Sequence, residues 1–182
     1  MIKQGSLQEK ILISKLNFKN KDAFSAIYDL YLDKIYRFIY FKVPTVAEAE
    51  DLTSQVFLKI WQLAITGRIK VGESFQSLIY KVARNLVIDH YRSSARDKNT
   101  VSLDEAINVA RNETLENKID AKLELEQVGK KLRKLKNEYR EVIIMHFVDD
   151  LTIKEIAGIL EKKRGNVRVT LHRALKALKE IQ

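Results

Sequence analysis

Apolar residues recur every three or four positions along most of this chain, and that spacing predicts amphipathic helices rather than strands. Thr45 with Glu48 forms a capping-box pattern at one predicted helix start. Thr152 with Glu155 forms a second such pattern, and Asp22 is expected to cap the second helix. The predicted helices span residues 6–16, 22–42, 46–64 and 75–96, followed by shorter ones near 123–135, 139–147, 153–160 and 166–178.

The helical pattern weakens between residues 93 and 120, where polar residues dominate and apolar residues stand singly. No aromatic residue occurs between Tyr91 and Tyr139, so a packed core cannot easily cross this segment. We therefore expect an all-α fold of two small helical domains, 1–96 and 121–182, joined by a flexible linker over residues 97–120.

Residues 151–181 have the pattern of a helix-turn-helix. A short helix with one apolar face precedes a charged break over residues 161–165, which includes Gly165. Asn166 is expected to cap a second helix, whose apolar stripe begins at Val167 and whose opposite face is basic. Two short helices joined by a tight turn are typical of proteins that place a helix in the major groove of DNA. The alternative is an antiparallel helix pair with a solvated cationic face.

The charge balance favours a polyanionic partner. The chain has a formal net charge of +9 and a pI near 9.6. Residues 151–182 contain eight Lys/Arg and three Asp/Glu. The difference of five positive charges is more than half of the net charge of the whole chain. Nucleic acid or an anionic membrane surface is therefore the expected partner. No apolar run approaches the length of a membrane span, no signal peptide is evident, and the lack of cysteine fits a reducing cytoplasm.

One face of helix 46–64 is polar but has Leu58 at its middle. It suits either a protein-binding surface or a solvated face with one exposed leucine, and the pattern alone favours the second. The polar residues beside Leu58 are Asp51, Ser54, Gln55 and Gln62.

Helix 75–96 interleaves cations with aromatic rings. Rings that stack on bases and cations that follow phosphates are typical of proteins that bind single-stranded DNA. The alternative is that the tyrosines complete the core while the cations are solvated, and the pattern leaves both open. The residues concerned are Tyr80, Lys81, Arg84, Asn85, Tyr91 and Arg92.

No catalytic constellation is evident. His90, His146 and His172 are far apart in sequence and lack the spacing of metal ligands. No glycine-rich phosphate loop, nucleophile elbow or zinc-protease motif occurs. We expect no enzyme activity, no cofactor and no metal, and interpret His146, which lies in an apolar run, as a partly buried structural residue.

Taken together, these segments resemble the extracytoplasmic-function (ECF) sigma factors of bacteria, the minimal two-domain branch of the sigma superfamily. DAFSAIY at 22–28 is similar to the start of sigma region 2. AEAEDL at 47–52 and VFLKIW at 56–61 resemble the helix that docks on RNA polymerase. Phe75 with YKVARNLVIDHYR at 80–92 resembles the promoter-melting helix. Four further segments resemble sigma region 4: YREV at 139–142, TIKEIA at 152–157, GNVR at 165–168 and LHRA at 171–174.

The resemblance implies three binding surfaces. The polymerase clamp helices would be bound by Asp51, Ser54, Gln55 and Leu58. Asn85, with the loop before Phe75, would capture an unstacked base of the minus-ten element. Phosphates of that strand would be held by Lys81, Arg84 and Arg92. The minus-thirty-five element would be faced by Arg168, Val169 and His172, with Arg164, Asn166 and Arg173 near the DNA backbone.

The resemblance also implies function and partners. The chain would recruit core RNA polymerase, bind promoter DNA as duplex and as single strand, and be controlled by an anti-sigma factor. It departs from the family at the turn, where Glu161 and Lys162 stand in place of a usual Gly and an apolar residue. The main alternative is a helix-turn-helix regulator that binds only duplex DNA, and a second is a helical adaptor that binds protein alone.

Overall fold

The computed structural model describes residues 7–69, 74–97 and 121–181, and all regular structure within them is helical, as predicted. The N-terminal half contains α1 (Leu7–Asn17), α2 (Lys21–Tyr40), α3 (Val46–Ile65) and α4 (Phe75–Asp97). The C-terminal half contains α5 (Ala121–Lys134), α6 (Asn137–Ile143) with a π-helical turn after it (Ile144–Val148), α7 (Ile153–Leu160) and α8 (Arg164–Glu180). Most of the proposed linker lies outside the described residues, so the domain limits 1–96, 97–120 and 121–182 stay a prediction.

The two predicted capping boxes are present. The Thr45 hydroxyl accepts a hydrogen bond from the Glu48 amide at 3.2 Å, and the Glu48 carboxylate accepts one from the Thr45 amide at 3.0 Å. Thr152 and Glu155 make the same reciprocal pair, at 3.3 Å and 2.8 Å. Each box satisfies amides that the first turn of a helix would otherwise leave unpaired, which fixes where α3 and α7 begin.

Two other predicted caps are wrong. The side chain of Asn20, rather than Asp22, caps α2 by accepting a hydrogen bond from a main-chain amide three residues on at 2.7 Å. In the C-terminal half, α8 already begins at Arg164, so Gly165 and Asn166 lie in its first turn rather than before it. The turn between α7 and α8 is therefore shorter than the sequence pattern indicated.

The core of the N-terminal half is formed where α2, α3 and α4 pack together, with α1 along α2 and α3. Helices α2 and α3 bury most of the apolar stripe that their sequence periodicity predicted, which removes that surface from water. Helix α1 differs from the prediction, because Leu7 and Ile11 of its expected stripe are exposed while Ile13 and Leu16 are buried. The fully buried side chains at its centre include Ile27, Ile35, Val56, Ile60 and Ile79.

The C-terminal half packs α6 and α7 against α8, and α8 buries Val167 and Ala174 of its predicted apolar stripe. Val128 and Phe147, predicted to be part of the helical apolar pattern, are instead exposed. Phe147 lies in the π-helical turn, which adds a residue to the helix repeat and so rotates later side chains away from the face that the regular spacing predicts.

The two halves contact each other in this structure. Helix α4 of the N-terminal half packs against α7 of the C-terminal half, and buried apolar residues from both halves form one continuous cluster. The contact places the first helix of the helix-turn-helix beside the predicted promoter-melting helix.

Candidate nucleic-acid and polymerase interfaces

The polar face of α3 lies opposite the buried stripe of that helix. Asp51, Ser54, Gln55 and Leu58 are all exposed, and the Leu58 side chain is 57% accessible. Gln55 Nε2 donates a hydrogen bond to Asp51 Oδ2 at 2.8 Å, which orients both side chains on the surface. The structure thus brings the four predicted residues together as one polar face with an apolar centre.

The recognition face of α8 is open to solvent. Its six predicted residues are exposed, while Val167 and Ala174 anchor the opposite side of the helix in the core. Val169 is half accessible, so an apolar side chain stands among the cations and can contact a thymine methyl group. The face consists of Arg164, Asn166, Arg168, Val169, His172 and Arg173.

The cations of α4 have a different environment. Lys81 and Arg84 are partly buried where α4 meets the C-terminal half. Lys81 Nζ lies 2.9 Å from Glu161 Oε1, and Arg84 Nε lies 3.3 Å from Glu141 Oε1. Both cations that were predicted to hold phosphates are therefore paired with carboxylates of the other half.

The four residues predicted to bind the minus-ten strand, Lys81, Arg84, Asn85 and Arg92, are called the α4 face. Of these, Asn85 and Arg92 are exposed. Arg92 Nη1 lies 3.7 Å from Asp89 Oδ1 on its own helix, a distance at which an exposed pair contributes little to stability. Both side chains are thus accessible to an incoming strand. The loop proposed to act with Asn85 includes residues 70–73, which lie outside the described residues.

The tyrosines of α4 belong to the core, so the stacking interpretation of Tyr80 and Tyr91 is wrong. Tyr80 is fully buried and meets the Phe38 ring edge to face, with the centroids 5.2 Å apart. Tyr91 is also buried, and its hydroxyl donates a hydrogen bond to the Lys42 carbonyl oxygen at 2.6 Å. Helix α4 packs against α2, α3 and α7, so more than one side of it is covered.

Sequence reasoning missed a buried ion cluster between the halves. Glu141 forms an ion pair with Lys42, and both side chains are almost completely buried. Lys42 Nζ also lies 3.9 Å from the centroid of the Phe38 ring. Burial disfavours the Glu141 carboxylate, but Lys42 and Arg84 outweigh that effect and hold the pKa of Glu141 below its usual range. The only sequence signal was a charged pair, residues 140–141, directly before the apolar run 142–145.

Arg140 is a further buried charge, with 1% of its surface accessible. Its guanidinium donates hydrogen bonds to the carbonyl oxygens of Leu132 and Leu135, at 3.0 Å and 3.1 Å. A further bond, of 3.3 Å, reaches the Phe41 carbonyl oxygen in the N-terminal half. Arg140 therefore satisfies carbonyls at the C-terminal end of α5 and also ties the two halves together.

Asp149 is another buried charge at this contact. Its carboxylate lies 3.9 Å from Arg37 Nη2 and is fully enclosed. Among the described residues neither the Asp149 oxygens nor the Tyr80 hydroxyl has a partner at hydrogen-bonding geometry. Burial raises the pKa of Asp149 to about 6, although nearby Tyr80 and Arg37 act in the opposite direction.

His146 and His90 have structural surroundings, whereas His172 lies on the exposed face of α8. His146 is partly buried, as predicted, and its Nδ1 lies 2.9 Å from the Leu151 carbonyl oxygen. His90 Nε2 lies 3.1 Å from Glu48 Oε1. The described residues contain no group of side chains arranged to hold a metal ion. None of the described helices is both long enough and apolar enough to cross a bilayer.

Two family models match the chain, one in each half. The model described as Sigma-70 region 2 matches residues 27–97, and the model described as Sigma-70, region 4 matches residues 125–178. The first match includes the predicted polymerase face and the α4 face. The second includes the helix-turn-helix.

Individual proteins match over nearly the whole chain. The ECF RNA polymerase sigma factor SigW of Bacillus subtilis is 30% identical over 179 residues, which cover 92% of this chain and 93% of SigW. BldN of Streptomyces coelicolor, another ECF RNA polymerase sigma factor, is 32% identical, and the match spans 63% of its length.

Solved structures share the fold. CnrH, determined in complex with the cytosolic domain of CnrY, superposes with a TM-score of 0.72 at 20% identity, over 94% of this chain and 95% of that one. The sigma factor RpoE, in complex with the anti-sigma factor NepR from Bartonella quintana, gives 0.73 at 20% identity, over 89% and 97%.

Proposed function

This chain belongs to the ECF sigma factors, and from that premise we propose that it recruits core RNA polymerase and opens promoters through the three surfaces described above. The observation that carries the proposal is that one chain combines an exposed basic recognition helix with a separate polar face centred on exposed Leu58. A regulator that binds only duplex DNA needs the first surface but has no use for the second. The chain itself would catalyse no bond change, and would act in the cytoplasm.

The recognition face of α8 is proposed to read the minus-thirty-five duplex. Arg168 and His172 are one helical turn apart, so their side chains can reach neighbouring base edges in the major groove. Val169 lies between them and suits a thymine methyl group. Arg164, Asn166 and Arg173, at the margins of the face, would contact the DNA backbone and fix the register of the helix.

The α4 face is proposed to hold the unpaired minus-ten strand. Asn85 offers both a donor and an acceptor for a base edge, and its exposure leaves room for an extruded base. Lys81 and Arg84 are about one helical turn apart on α4, and Arg92 lies about two turns beyond Arg84. Cations spaced in this way can follow the phosphates of one strand. Tyr80 and Tyr91 are core residues and are not expected to stack on bases.

The α3 face is proposed to bind the clamp helices of core polymerase. An apolar side chain surrounded by oriented polar groups is the usual anatomy of a binding hot spot, because the surrounding groups exclude water from the centre. An anti-sigma factor is included among the proposed partners, since CnrH and RpoE were both determined with partner proteins bound.

Co-purification with bacterial core RNA polymerase, followed by run-off transcription on a promoter library, tests the proposal. Leu58→Asp and Asp51→Arg should abolish polymerase binding while leaving the circular dichroism spectrum and melting temperature nearly unchanged. Leu7→Asp is the matched control, because Leu7 is 74% accessible and lies on α1, away from the proposed face. Wild-type protein that binds duplex DNA but neither binds polymerase nor starts transcripts would contradict the proposal and favour a duplex-only regulator.

A further inference from the structure

The cations proposed to hold the minus-ten strand are occupied by the C-terminal half of the same chain. Lys81 pairs with Glu161 at 2.9 Å, and Arg84 pairs with Glu141 at 3.3 Å. Each carboxylate is more than fifty residues away in sequence. Glu161 ends α7, which packs against α4, and Glu141 lies on α6 of the same half. Each carboxylate takes part of the donor capacity of its cation and would repel a strand phosphate placed beside it, so docking and strand binding compete.

Glu161 stands where a glycine would fit with less strain. It ends α7 in the left-handed conformation, with φ of 55°, a position that helices most often give to glycine. A side chain in that conformation is strained, because its Cβ atom comes too close to the following carbonyl oxygen. The glutamate nevertheless places its carboxylate on Lys81, and that hydrogen bond lowers the pKa of Glu161.

The buried charges make the docking more than a surface ion pair. An exposed pair such as Lys81 with Glu161 contributes too little to hold two domains together, because water and salt screen its charges. Lys42 and Glu141, by contrast, are both buried and belong to different halves, so each neutralises a charge that would otherwise be enclosed without a partner. Separation of the halves would return both side chains to water.

We propose that the C-terminal half is an intramolecular competitor of the unpaired DNA strand, so that the docked protein binds duplex DNA through α8 but withholds strand binding by α4. The inference rests on the proposed role of Lys81 and Arg84 as phosphate ligands. If docked molecules outnumber open ones about tenfold, the apparent Kd for single-stranded DNA rises about tenfold, while the Kd for duplex is unchanged. Binding of polymerase or promoter would then have to separate the halves before the promoter opens.

A reversible disulfide provides the test, because the chain contains no cysteine. A Cβ atom added at Gly158 of α7 would lie 3.7 Å from Ser77 Oγ on α4, a spacing that a disulfide can bridge with a small shift. Neither residue belongs to a proposed DNA-binding face. Ser77→Cys/Gly158→Cys, once oxidised, should bind a random-sequence single-stranded DNA pool at least about tenfold more weakly than after reduction, with duplex binding within about twofold.

An opening variant tests the same inference from the other direction. Glu141→Gln/Glu161→Gly removes both competing carboxylates and should tighten single-strand binding about tenfold relative to wild type. Asp29→Asn/Asp33→Asn is the matched control, because it makes the same change in net charge at two exposed residues of α2. The control should alter single-strand and duplex binding equally and only slightly.

The outcomes separate failure of the inference from failure of the proposed function. If Lys81→Ala/Arg84→Ala weakens strand binding in the opening variant but oxidation of the cysteine pair does not, the phosphate role stands and the competition is wrong. If Lys81→Ala/Arg84→Ala has no effect in the opening variant, the proposed strand-binding face is wrong. Failure of the cysteine pair to oxidise would mean that α7 does not dock on α4, which would also overturn the inference.

Discussion

The two basic faces of this chain contain similar residues but differ in whether their cations are exposed or paired with carboxylates. The recognition face of α8 projects its arginines into solvent, whereas Lys81 and Arg84 of α4 are engaged by Glu161 and Glu141. Both faces contribute to the net positive charge of the chain, so a count of charged residues cannot distinguish them. The difference shows that the capacity of a cationic face to bind DNA depends on what else in the chain can reach it.

Packing explains why the two faces differ. Helix α8 lies at one side of the C-terminal half and contacts α6 and α7 through a single apolar stripe. Helix α4 lies between the two halves, with α2 and α3 on one side and α7 on another. A helix in that position has its polar margins within reach of acidic residues from both halves, which is how its cations come to be paired.

The largest expected effect is on the free energy of unfolding, when the buried cation Arg140 is removed from the contact between the two halves. Arg140→Ala would leave three or more buried carbonyl oxygens without their donor, and should lower the free energy of unfolding by about 3–5 kcal/mol. Urea denaturation measures this. Arg164→Ala on the exposed α8 face is the matched control, and should change stability by less than about 0.5 kcal/mol. Equal, small losses for both would contradict the buried network.

The second effect is a dependence of stability on pH that originates at the contact between the halves. Burial raises the pKa of Asp149 from 3.8 to about 6, so the folded protein binds this proton more tightly than the unfolded chain does. The free energy of unfolding should therefore fall as pH rises from about 4 to 6, by up to about 3 kcal/mol. Glu141, with its lowered pKa, acts in the opposite direction and at lower pH.

Asp149→Asn should remove that pH dependence, as measured by urea denaturation at several pH values. Asp150→Asn is its matched control, because Asp150 is exposed and asparagine tolerates the left-handed backbone that Asp150 adopts. If stability rises with pH over this range in wild-type protein, or if Asp149→Asn keeps the wild-type slope, Asp149 is not buried as described.

The smallest expected effects are on the open face. Arg168→Ala and His172→Ala should each weaken promoter duplex binding by about 1–3 kcal/mol and alter base preference. Arg164→Ala should weaken all duplexes about equally and reduce the slope of log affinity against log salt by about one. Binding titrations at several salt concentrations, on promoter and scrambled duplexes, distinguish the two behaviours. If none of the three changes affects promoter binding, α8 does not read DNA.

The sequence predicted the open face better than the occupied one. Exposed positions on α8 follow from a single helical period, because one stripe, containing Val167 and Ala174, is buried. The same reasoning does not apply to α4, where contacts on several sides bury Tyr80 and Tyr91 as well as the apolar stripe. Periodicity describes one helix at a time and cannot indicate which distant segment will cover its margins.

Buried charges were the other part that sequence could not provide. Periodicity assigns charged residues to solvent, so the ion pair between Lys42 and Glu141 gave no signal. Capping boxes were predictable because all of their partners lie within four residues. The Asn166 cap was wrong because Lys163 can begin a helix without any side-chain hydrogen bond, a start that no sequence motif marks.

Permanganate footprinting of unpaired thymines tests the central claim, that this chain opens promoters with core polymerase, most directly. On a promoter selected by the wild-type holoenzyme, wild-type protein should produce reactive thymines in the minus-ten region. Asn85→Ala should form the closed complex normally but produce a much weaker signal, because the base captured by Asn85 must repay an extrusion cost of a few kcal/mol. A template with a pre-melted bubble should restore much of the activity of the variant. Equal opening of the matched template by Asn85→Ala and wild type would contradict the role of Asn85, and no opening by wild type would contradict the whole account.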